Sequence, residues 1–211
     1  MIADLGLSGL DLRNLEDDKA QDGWRTIIEH KLSISLHNSS GAKFFTPFFI
    51  KTVKSNRSYW LIHLSNHARA RDEMMQVHWS LTNQFIHHGG AGLSMLGYVP
   101  KHDAAFTGVP TLFEFSEIDK DRSIMALSKD IPNFIHECGG SITFGELTDR
   151  TANTSPASLD MYKEALMNLT RYEGFQIITP KGHNRISSSQ VSSDDTIQKN
   201  PQQDFHFMKK R

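Results

Sequence analysis

The residues of this chain best able to do chemistry are its histidines, and their spacing decides which chemistry is open to them. His63 and His67 are four apart, the interval that sets two imidazoles on one helix face for a metal hydrolase. They straddle a boundary, however. His63 falls in an apolar run read as a strand and His67 beyond a helix-start signal, so the spacing does not converge. His87 and His88 are adjacent, and on an extended segment their side chains point to opposite faces. His88-Gly89-Gly90 has the look of an esterase oxyanion element, which also needs a Gly-x-Ser-x-Gly elbow, and the sequence contains none. Cys138 is the single cysteine. It forms no internal disulfide, is too few for a structural zinc site, and has Glu137 beside it with no basic neighbour in sequence to favour a thiolate. Asp4 to Gly9 carries two glycines, but only three residues precede it, so a phosphate loop has no strand to stand on. No catalytic residue and no metal ligand is assigned.

These residues depend on the elements around them. The 211 residues are 38% hydrophobic and 22% charged, enough for one large domain or a medium one with a small companion. The net charge of −1 excludes nucleic-acid binding by charge alone and leaves it to a local patch. No run approaches the length of a membrane span, and the lone cysteine fits a cytoplasmic setting. Trp24 to Leu32 reads as a short helix. Ala42 to Val53 is a phenylalanine-rich strand in which Pro47 calls for an edge position or a bulge. Lys54 to Arg57 is a polar loop, and the strand from Ser58 returns antiparallel. Ser65-Asn66 then caps a helix whose apolar residues are Ala70, Met74 and Val77, with Met75, His78 and Trp79 beside them. The corner at Asn66 and His67 is where α/β folds place ligand contacts; with His88, in a stretch holding Gly89, Gly90, Gly92 and Gly97, these form the expected ligand or partner contacts.

Farther on, Thr111 to Ser116 reads as a strand and Asp119 to Glu137 as a helix that Pro132 kinks or restarts, stopped by Gly139-Gly140. Ser141 to Phe144, a short helix over Thr143 to Arg150, and a long helix opened by Ser155 as cap and Pro156 follow. The long helix carries the stripe Leu159, Tyr162, Ala165, Leu166 and Leu169. Phe175 to Thr179, a turn, and a return strand at Arg185-Ile186 complete a winged-helix pattern. From Ser187 onward the composition is that of a disordered tail.

The phenylalanine-rich strand, the short polar loop and YWLIHLSNHARARDEMMQVHW together resemble the C-terminal half of the three-Cys-motif partner (TcmP) proteins, over roughly residues 24–185. The resemblance implies a methyltransferase-like Rossmann sheet that ends in an antiparallel pair, followed by a winged helix. Members of that family carry an Asp-Pro-Phe-x-Gly-Pro-Gly-like motif in an N-terminal half, and nothing here matches it. The chain is therefore expected to be a truncated or split member. Its domains are an incomplete Rossmann-like portion over 1–139, a winged-helix module over 140–187 and a tail over 188–211. Its fold class is α/β or α+β. It binds no cofactor, with S-adenosylmethionine entering only if another polypeptide supplies the missing half. A partner with a three-cysteine motif and a setting in mobile or defence-related DNA are implied in the same way.

The expected function is that of a non-catalytic or split partner protein that grips a macromolecule, protein or nucleic acid, through its winged helix. The alternative is the C-terminal half of an S-adenosylmethionine-dependent methyltransferase completed by another chain. On the long helix Asp160, Lys163, Glu164, Arg171 and Glu173 sum to −1, unfavourable against phosphate. Lys181, His183 and Arg185 in the wing are the expected nucleic-acid contacts.

Overall fold

The computed structural model describes residues 35–52, 58–81, 85–87, 91–93 and 115–201. The expectations for the chain before residue 35, the 54–57 loop, most of the 111–116 strand, His88 and the glycines at 89, 90 and 97 lie outside the described residues. Over the described residues the chain is a mixed α+β structure with two small antiparallel sheets and a winged-helix domain.

The first sheet has the order β2–β1–β3, with β1 at Phe44–Thr52, β2 at Ser58–Ser65 and β3 at Phe85–His87. The expected hairpin is present, in unbroken register from Phe44 opposite Ser65 to Lys51 opposite Ser58, so Pro47 causes no bulge. Proline is tolerated because of its phase. The Phe45 amide is turned away from β2, donating to Asn153 Oδ1 at 2.9 Å. Strand alternation turns the Pro47 nitrogen the same way, and β3 joins that side only from Ile50 onward. The missing N–H therefore costs no ladder bond.

Helix α1 (Ala68–Ser80) packs back onto this hairpin. Its buried side differs from the apolar face expected. Met75 is fully enclosed, yet Arg71 and Asp72 are buried beside it, while Ala70 and Val77 face outward. Met75 joins Phe48 and Phe115 in a small core that Trp79 also touches. Phe115 adopts a left-handed φ of 56°, so the expected strand does not extend through it.

The second sheet, β4–β6–β5, belongs to the winged helix. Helix α2 (Glu117–Glu137) begins at a capping box made by Ser116 and Asp119 and runs through Pro132 to the left-handed Gly139 and Gly140. Strand β4 (Ser141–Thr143), helix α3 (Phe144–Thr151), helix α4 (Leu159–Tyr172), strand β5 (Phe175–Ile178) and strand β6 (Thr196–Lys199) follow. The stripe on α4 closes over Ile124, Leu127, Ile131 and Ile135 of α2 in one continuous core. Helix α2 thus shares the core of the winged helix.

Two further expectations change. Helix α4 starts at Leu159 with Ser158 at its cap position, not at Ser155-Pro156. The partner of β5 is not Arg185-Ile186, where the chain makes only a bridge between Ile178 and Asn184. It is β6, inside the expected tail, lying central in the sheet with Ile197 fully buried. A segment rich in serine and aspartate becomes ordered there because β4 and β5 both need a partner for their open edges.

Candidate macromolecular interface

The turn between α3 and α4 is held from outside by α1. The Arg71 guanidinium, buried, donates to three carbonyls: through Nε to Ala152 O at 3.2 Å, through Nη1 to Ala157 O at 2.6 Å, and through Nη2 to Ser155 O. Trp79 Nε1 donates to Pro156 O at 2.9 Å. Asp72 Oδ1 accepts the Leu159 amide at 2.7 Å, so a residue of α1 satisfies the open first turn of α4 while Ser158 makes no side-chain cap bond. This explains the late start of α4. The carbonyls of 155, 156 and 157 are committed to α1 and take no part in a helix. Burial lowers the Arg71 pKa, against the raising influence of Tyr162 and Asp72.

The β1 end adds to the clasp. Asn153 Nδ2 donates to Lys43 O at 3.2 Å, and Lys43 Nζ meets Asp149 at 2.6 Å. Four buried or half-buried polar groups, Arg71, Asp72, Trp79 and Asn153, therefore join the hairpin–helix unit to the winged helix. Arg71 and Asp72 do not stand out in the sequence, since charges on an amphipathic helix are ordinarily solvated.

The expected contact residues are dispersed. Asn66 is not the helix cap: its Oδ1 accepts the Lys43 amide at 2.9 Å and closes the base of the hairpin. His67 takes the cap position of α1, exposed and without a side-chain cap bond. His63 does not approach His67 as a partner. It lies electrostatically against Arg71 and His78, and its pKa is lowered by burial and then by Arg71. His78 stacks on Phe48 with ring centroids 3.5 Å apart, and burial, then His63, brings its pKa down to about 4. Among the described residues no group of three His, Cys, Asp or Glu side chains is placed to hold a metal. Cys138 does have a basic neighbour: Arg150 Nη1 lies 3.1 Å from Sγ, brought there by the fold and not by sequence adjacency.

In the wing, Lys181 and His183 are exposed, as a phosphate contact requires. Arg185 is engaged elsewhere. It grips fully buried Asp195 with two hydrogen bonds, Nε to Oδ2 at 2.8 Å and Nη2 to Oδ1 at 3.1 Å, and these bonds raise its pKa. That pair folds the long wing back so that Asp195 O and Ser193 O accept the Phe144 and Gly145 amides at the start of α3. Two large apolar side chains stand out of this surface, Tyr172 at the end of α4, 78% exposed, and Ile186 in the wing, 84% exposed. In the sequence Ile186 reads only as part of the return strand, and Tyr172 carries no signal that sets it apart from the core stripe of the long helix.

An S-adenosylmethionine site does not fit the described residues. Every strand pairing among them is antiparallel, so they contain no switch point between parallel strands where a nucleotide fold holds its ligand. No helix among the described residues is long and apolar enough to cross a membrane.

Residues 101–182 match the family model described as a GMT-like wHTH domain. The match and the topology agree on a winged-helix module, and the structure extends it through β6. No curated protein and no solved structure matches the chain.

Proposed function

We propose that this chain is a non-catalytic partner protein that uses its winged helix to dock another protein through the outer face of α4 and the wing. One observation carries the reading. A helix-turn-helix reader offers the N-terminal residues of its second helix to base edges. Here that end of α4 is capped by the Asp72 carboxylate, and residues 155–158 before it are buried. The exposed side chains of α4 do not compensate. Asp160 and Glu164 offset Lys163 and Arg171, Glu173 follows at the C-terminal cap, and Arg185 is held by Asp195. Tyr172 and Ile186 are the kind of apolar anchors that protein interfaces bury.

The resemblance to three-Cys-motif partners supplies the partner's nature: a protein bearing three conserved-type cysteines, with β1, β2 and β3 as the antiparallel end of a methyltransferase-like sheet. This finer reading rests on the resemblance, and the winged-helix match is consistent with it. The test is co-purification with a three-cysteine-motif protein encoded beside this chain. Tyr172→Ala with Ile186→Ser is expected to abolish the complex and leave the unfolding midpoint in place. Duplex DNA in low salt is expected to give no shift. Tight, salt-dependent DNA binding that disappears with Lys181→Ala and His183→Ala overturns the protein-docking reading in favour of a wing contact to phosphate.

A further inference from the structure

The outward side of α2 carries exposed apolar side chains beside exposed charges. Ile118 and Met125 are 65% and 61% exposed, seven residues apart on one face of a 21-residue helix. Asp121 and Lys129 flank Met125, four residues to either side, both exposed and without an ion-pair partner among the described residues. Arg122, between them, is turned back onto Asp119 at 3.3 Å. Met125 and Lys129 also edge a groove of about 700 Å³ whose far wall, off this helix, includes Leu93, Thr151 and Thr154.

We infer that a second copy of this chain occupies this face, with the two α2 helices antiparallel and crossing at Met125. The two copies complement each other under a two-fold axis. With Met125 on the axis, a residue four before it meets the partner's residue four after it, both about 6 Å along the helix from the crossing. Asp121 then faces the partner's Lys129, and the symmetry repeats the pair on the other side. Seven residues out, Ile118 faces Pro132, apolar against apolar. Arg122 faces Ser128, so directly opposed positions on this face pair no like charges. An isologous contact demands such self-complementarity, and the exposed apolar side chains sit where it places them. This pairing does not depend on the docking function of α4, whose surface is separate.

The test uses charge reversal in the full chain, read by sedimentation across a range of concentration up to about 100 μM, where a Kd near 1 μM gives mostly dimer. The wild type is expected to dimerise. Asp121→Lys and Lys129→Asp each oppose like charges twice and are expected to weaken association about tenfold or more. An equimolar mixture of the two single variants re-forms opposite pairs and is expected to restore a heterodimer. Met125→Lys is expected to abolish association with an unchanged circular dichroism spectrum. A wild type that stays monomeric across the range overturns the inference. So does a mixture that behaves as the sum of its parts, or a monomer whose α2 groove takes up an amphipathic helix from another protein.

Discussion

At the scale of the residue, Arg71 is the most consequential side chain of the described structure. It brings a charge into a buried turn and spends it on three carbonyls that would otherwise lack donors. Arg71→Met fills the space but strands those carbonyls and the Asp72 charge, and is expected to cost about 3 kcal/mol in urea denaturation. Arg71→Lys is expected to recover only part, since one ammonium does not reproduce a planar fork. His78 makes a second prediction. Its pKa is depressed in the folded chain to about 4, so the native state resists a proton that the unfolded chain accepts. Stability is then level above the unfolded value of about 6.5 and falls as pH drops from there toward 4. The loss is on the order of 2 kcal/mol after discounting for residual solvent contact. His63, lowered in the same direction, adds to it. His78→Phe, which keeps a ring against Phe48, is expected to flatten the acid limb of stability measured by denaturation across that range.

At the scale of the element, the wing is fastened to the helix it follows in space and not in sequence. Gly145 lets it approach. A Cβ there would meet Ser193 O at 3.1 Å and Ser193 Cβ at 3.2 Å, while the Gly145 amide already donates to that oxygen at 2.8 Å. Gly145→Ala is expected to cost about 2 kcal/mol despite the better helix propensity of alanine. Hydrogen exchange should accelerate first in residues 191–195. The same contact shows where the sequence stops being informative. The hairpin was legible because Phe44 to Thr52 and Ser58 to Ser65 are dense in aromatic and β-branched residues, and α4 because Tyr162, Ala165, Leu166 and Leu169 keep a helical period. Strand β6 was not legible. It has one fully buried side chain, Ile197, in a polar stretch, and its place comes from two strand edges over fifty and about twenty residues earlier in the chain. Ser155-Pro156 carried a sound local cap signal that lost to donors arriving from Arg71 and Trp79. The wing arginine was correctly seen as basic, but its partner Asp195 lay in what read as tail.

At the scale of the whole molecule, the hairpin–helix unit and the winged helix should behave as one cooperative body. The small core around Phe48, Met75 and Phe115 is too little to hold a hairpin and one helix in water. Trp79 belongs to its edge and to the edge of the winged-helix core alike, and the Arg71–Asp72 clasp spans the same seam. Opening the seam would expose buried carbonyls, a buried guanidinium and the first turn of α4 together, so partial opening saves little over complete unfolding. Native-state hydrogen exchange is expected to give the Phe45 and Phe48 amides nearly the same opening free energy as those of Leu166 and Leu169. Arg71→Met should separate them, lowering the hairpin amides first while the α4 amides retain most of their protection. Equal lowering in both units would mean that the winged helix cannot stand without the clasp. Widely different values in the wild type would mean that the clasp does not couple them at all.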